Sequence, residues 1–170
     1  MSLLHRLFGR SDDNEAMRPL YDAVIARGRA RHWYVDGKVP DTIDGRFEMI
    51  AAILALVVAR LELETERRHN VAWLIELFVT DMDSQLREIG IGDMVVGKHI
   101  GRMMSALGGR IGAYRDGLRD GIFEAALIRN LYRGAEPEPA ALDHLAERLR
   151  TFHLALAAAP TDAIVAGKLS

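Results

Sequence analysis

The chain has 170 residues, 49% hydrophobic and 27% charged, with 22 Lys and Arg against 24 Asp and Glu and a formal net charge of −2. Such a composition gives one soluble globular domain with an ordinary core. The near-neutral balance excludes the overall basic field that nucleic-acid binding usually needs, and the absence of cysteine excludes disulfides, thiol chemistry and cysteine-ligated zinc.

In chain order, residues 1–13 form an amphipathic N-terminal tail. Its apolar part is too short for a signal peptide, and it is not an arginine- and serine-rich transit peptide. If helical, "SLLHRLF" brings Leu3, Leu4, Leu7 and Phe8 together as a membrane contact, although one short turn binds a membrane weakly on its own. The expected location is cytoplasmic, peripheral on the cytoplasmic face of the inner membrane if the tail engages it.

A first helix is predicted from about Glu15 to Arg27. The turn-rich "HWYVDGKVPDTIDG" follows, where Asp36-Gly37 could close a small hairpin and Asp44 is placed to cap the next helix. That helix, about Gly45 to Glu64, is apolar nearly all round, which puts it at the centre of a bundle. Its longest apolar run, Met49 to Ala59, is eleven residues, short of the ~20 a membrane span takes. The next helix, about Asn70 to Ile89, carries Val71, Leu74, Ile75, Phe78, Met82, Leu86 and Ile89 in one stripe. Gly90 can end it, and Asp93 can cap a helix running from about Met94 into the 110s. A further helical piece reaches Tyr132. "RGAEPEP" reads as a linker, about Ala140 to Ala159 as the last helix, and 161–170 as a tail. The fold expected is all-α: a single-domain bundle of about six helices, residues 14–160, around a central apolar helix.

The stretch "DMDSQLREIGIGDMVVGKHI" gathers acids, bases and glycines. Asp81 and Asp83 are two apart, so on a helix they point about 200° away from each other and cannot chelate one ion together. Asp83 sits one turn from Arg87, as an i,i+4 ion pair, while Asp81 shares a side with Glu88, two turns on. The six histidines show no zinc-ligand spacing, and no phosphate-loop, dinucleotide or nucleophile-elbow motif is present. No metal, cofactor or catalytic residue is therefore assigned. Gly97, Gly101, Gly108, Gly109, Gly112, Gly117 and Gly121 recur in the fifth segment, and each costs about 1 kcal/mol against alanine inside a helix. They are expected to form a small-residue face on which another helix backbone lies, in this chain or a partner.

At "VPDTIDGRFEM", "DMDSQLREIGIGDMVVGKHI", "GGRIGAY" and "LIRNLY" the sequence resembles the ubiquinol–cytochrome c chaperone family, assembly factors for the cytochrome bc1 complex. The resemblance runs from about Leu20 to Arg133. Val39, Pro40, Asp41 and Thr42 match the family's V-P-D-T turn, and Gly45, Arg46 and Phe47 its G-R-F. Asp81, Met82 and Asp83 match D-M-D; Leu86, Arg87 and Glu88 match L-R-E; Gly90, Gly92 and Asp93 match G-x-G-D. Lys98 follows in register, then Gly109, Arg110, Ala113 and Tyr114, and Arg129, Asn130 and Tyr132 match the late R-N-x-Y. The sequence departs from the family at Gly97, where proline is usual, and at Leu107 and Gly108, where an aromatic pair is usual.

The resemblance implies a non-enzymatic chaperone that binds newly made cytochrome b at the membrane surface, with the ribosome or a small partner protein as further partners. Without a transit peptide the chain is expected to be a bacterial member of the family, and its charge balance gives no expectation of specific DNA. Asp41, Arg46, Asp81, Asp83, Arg87, Glu88, Asp93, Lys98 and Arg110 would form or brace the client surface. Two other readings stand beside it: a small metal-dependent enzyme using the Asp81 and Asp83 cluster, and a peripheral membrane module held by the N-terminal turn.

Overall fold

The computed structural model describes residues 15–88 and 93–169, apart from the side chains of Leu86, Met103 and residues 93–100. Among the described residues the chain is all-α. There are six helices of nine residues or more and two short ones: α1 (Arg18–Gly28), α2 (His32–Val35), α3 (Ile43–Leu61), α4 (Arg68–Glu88), α5 (Asp93–Asp120), α6 (Phe123–Leu131), α7 (Pro139–Ala158) and α8 (Thr161–Val165). The all-α fold and the six longer helices agree with the sequence reading.

Helix α3 is the axis of the bundle, packed against α1, α4, α5, α6 and α7. Thirteen of its 19 residues are buried, and fully burying one of its Leu, Ile or Val side chains contributes about 1.5–3 kcal/mol. Its start differs from the expected one. Thr42, in extended conformation, accepts the Gly45 amide at 3.1 Å and is the N-cap. Asp44 lies inside the first turn and pairs with Arg133 at 2.7 Å. A hydroxyl at this position satisfies the same orphan N–H group that a carboxylate would.

No hairpin forms at Asp36-Gly37. Residues His32–Val35 make a helical turn instead. Its Trp33 side chain is 1% exposed and donates Nε1–H to the Arg27 carbonyl at 2.7 Å, while the Tyr34 hydroxyl donates to the Gly28 carbonyl at 2.7 Å. These two anchors fold the segment back onto α1, and local turn chemistry gives way to the burial of a large ring. Beyond the turn, only glycine fits at position 45, because a Cβ on Gly45 would come within 1.9 Å of the Pro40 carbonyl oxygen. The V-P-D-T turn lies directly on the first turn of α3.

Helix α5 ends in a 6→1 closure, with the Ile122 amide donating to the Gly117 carbonyl at 3.0 Å. Gly121 takes φ +75° there, a conformation that costs glycine little. Beyond α7 the chain stays with the body. Ile164 of α8 is fully buried, and Arg60 of α3 donates to the Leu156 and Ala159 carbonyls at the end of α7 and to Thr161 at 2.9 Å. No described helix is long and apolar enough to cross a membrane.

Candidate functional site

Glu48 is the one charged residue buried inside α3. It accepts two hydrogen bonds from Arg110 of α5, with Arg110 Nε at 2.6 Å from Oε2 and a terminal guanidinium nitrogen on Oε1. The two side chains are 11% and 12% exposed. The guanidinium also faces the Phe47 ring at 5.9 Å, and Phe47 packs on Phe78 of α4 at 5.6 Å. One fork thus ties three helices. Burial raises the Glu48 carboxyl pKa above its usual range, and the Arg110 contacts oppose that rise without cancelling it. Tyr114, one turn on from Arg110, is buried against Phe123. Its hydroxyl has no hydrogen-bond partner among the described residues.

The other charged candidates divide among separate contacts. Asp41 and Arg46 pair with each other at 2.6 Å, each 58% exposed, so the V-P-D-T turn is clipped to the G-R-F turn. The Arg46 guanidinium holds the Asp41 carboxyl below its ordinary pKa. Asp81 is half-buried and accepts the Tyr21 hydroxyl of α1 at 2.7 Å and the Gln85 amide at 3.0 Å. Burial first, and then Asp81, pushes the Tyr21 phenol far up. Asp83 pairs with Arg87 at 2.7 Å along the helix. The two aspartates therefore engage different partners, as residues two apart on a helix must. Glu88 is exposed at the end of α4. Asp93 begins α5, but its side chain, that of Lys98, and the tail residues Leu3, Leu4, Leu7 and Phe8 lie outside the described residues.

The glycine row of α5 meets only half of its expectation, because no described helix of this chain covers it and a partner's backbone is left. Nothing lies within 4 Å of a Cβ built on Gly101, Gly108, Gly109 or Gly112. Among the described residues, no helix of this chain packs there; in the row, only Gly117 meets backbone, at 3.0 Å from the Phe123 Cα. The close helix crossing sits elsewhere, at Gly28 of α1, where a Cβ would fall 2.8–2.9 Å from Ile50 of α3. At one departure from the family pattern, Leu107 is 1% exposed and belongs to the core, while Gly108 beside it is exposed.

Sequence reasoning missed two participants. Glu48 had a signal, an acid directly before the apolar run Met49 to Ala59, where burial demands a partner. Tyr21 had none, because a separation of 60 positions from Asp81 leaves no local trace.

Fold and contacts together define an all-helical scaffold whose helices are cross-tied by ion pairs and tyrosine hydrogen bonds. The chain belongs to a family: residues 35–170 match the family described as Ubiquinol-cytochrome C chaperone. That span takes in α7 and α8, which the sequence motifs did not reach. The crystal structure of the Cbp3 homolog from Brucella abortus superposes with a TM-score of 0.81 at 29% identity, over 99% of this chain and 96% of that one. Among curated proteins, none matches the chain.

Proposed function

We propose that this protein is a non-enzymatic assembly chaperone that binds newly made cytochrome b and promotes assembly of the ubiquinol–cytochrome c reductase complex. The observation that carries the reading is membership of the chaperone family across residues 35–170. The near-complete structural likeness to a Cbp3 homolog supports it. In this reading the exposed end of α4, with Asp83, Arg87 and Glu88, meets the client together with Asp93 and Lys98. Asp41 and Arg46 present the neighbouring turn. Asp81 and Arg110, which hold Tyr21 and Glu48, brace that surface from behind. Contact with the ribosome, a small partner protein and the inner-membrane surface belongs to the same reading.

Deleting the gene tests it. The expected result is less assembled bc1 complex and a weaker cytochrome b absorbance in membranes, restored by the wild-type chain on a plasmid. Normal cytochrome b absorbance with normal antimycin-sensitive respiration in the deletion strain contradicts it.

A further inference from the structure

A second feature lies at the elbow between α1 and α2. Arg29, Arg31, Tyr34, Val35, Asp41 and Arg46 line a cleft of about 380 Å³, within the size range of small-ligand sites. Arg46 is paired with Asp41, whereas Arg29 and Arg31 have no acidic partner among the described residues. Three guanidinium groups against one carboxylate leave the cleft with two uncompensated positive charges in a concavity, where the field of like charges is focused.

The elbow is held in place. The Trp33 and Tyr34 hydrogen bonds to the Arg27 and Gly28 carbonyls fix the turn on both sides of Arg29, so the ordering is done before any ligand arrives. The rim is apolar in part. Val35, in the lining, is 45% exposed; Ile43, 70% exposed, stands outside the lining, three residues before Arg46 on α3. Planar guanidinium forks suit phosphate oxygens in pairs, and exposed aliphatic side chains beside them suit the boundary between headgroup and acyl chain.

We propose that this cleft binds a phosphate group, between Arg29 and Arg31 and against the Arg46 side. The group comes either from the headgroup of an anionic phospholipid or from free phosphate. This inference does not depend on which client the protein holds.

The test uses the full chain, with inorganic phosphate as one probe. The other is a pair of vesicle preparations, phosphatidylcholine alone and phosphatidylcholine mixed with phosphatidylglycerol. Wild type is expected to bind the anionic vesicles, less so as salt rises, and to be displaced from them by phosphate. Each basic side chain near an anionic surface contributes about fivefold in affinity, so the double variant Arg29→Gln with Arg31→Gln binds those vesicles roughly 25-fold more weakly, with its melting temperature unchanged. Val35→Ser with Ile43→Ser then separates the sources. Weaker vesicle binding with phosphate affinity kept assigns the cleft to a lipid headgroup, and no change in either assigns it to free phosphate. Wild type that binds neither probe overturns the proposal. So does an Arg29, Arg31 double variant that binds both as wild type does, since the attraction then lies outside the cleft.

Discussion

Helices α3 and α5 are the axis of the bundle and its longest member, and they meet their surroundings in opposite ways. Helix α3 touches five other long helices and buries apolar side chains all round. Helix α5 turns Leu107, Ile111 and Tyr114 inward, and at Gly101, Gly108, Gly109 and Gly112 no described atom lies within 4 Å of an added Cβ. The difference teaches what a sequence pattern settles. An apolar surface must be covered, so its burial follows from hydration alone. A small-residue row lowers the cost of close approach without compelling it, so what covers the row depends on a partner the pattern does not name.

The ion pair that joins these two helices is the place to break the comparison. Replacing Arg110 with Met leaves Glu48 buried without its partner, which costs about 3–5 kcal/mol near neutral pH. The sign of the pH dependence follows from the raised Glu48 pKa. A carboxyl whose folded pKa lies above its unfolded value favours the folded state at low pH, and that contribution is lost as pH rises through the folded pKa. Without Arg110 the carboxyl rises further. The deficit of Arg110→Met against wild type is therefore expected to shrink from about pH 7 to about pH 5, as Glu48 takes up a proton. Urea melts at both pH values check this, and Glu48→Met added to Arg110→Met should recover most of the loss. A deficit that does not change with pH puts the cause in lost packing of the arginine stem.

A smaller effect sharpens the role of Asp81. Tyr21→Phe removes one hydrogen bond to a carboxylate, worth about 1.5–3 kcal/mol, and denaturant melts should resolve it. If the variant melts as wild type, Asp81 is held by Gln85 and solvent alone. Smaller still, and opposite in sign, Gly101→Ala and Gly112→Ala are expected to stabilise the protein by about 1 kcal/mol each, because no described atom of this chain opposes the added methyl. A higher melting temperature combined with weaker client capture assigns the row to a partner's backbone; a lower one means that the row packs within the fold after all. At the bottom of the scale, Asp41→Asn is expected to leave the melt unchanged, since both members of its ion pair are exposed. A large drop there would make the clip between the two turns a structural necessity.

These contrasts also mark how far the sequence could be read. The central helix was legible because "MIAAILALVVA" admits no exposed side. The stripe on α4 was legible because its apolar residues recur at helical spacing, and the opposed directions of Asp81 and Asp83 followed from helix geometry before any partner was known. The hairpin expectation failed because Asp36-Gly37 is a local turn signal, whereas Trp33 is governed by its burial against α1. The cap went to Thr42 over Asp44, a shift of two residues that local pattern does not resolve. Tyr21 with Asp81, and Arg60 with the carbonyls ending α7, are contacts across 60 and 96 residues. Such pairings depend on how helices dock, and single-chain periodicity carries no record of them.

The central claim is that this scaffold holds newly made cytochrome b, and the most direct measurement is affinity capture of the tagged full chain from its native membranes, followed by mass spectrometry. Cytochrome b is expected in the eluate, in excess over the other subunits of the bc1 complex. An eluate without cytochrome b, from membranes that contain it, would contradict the account.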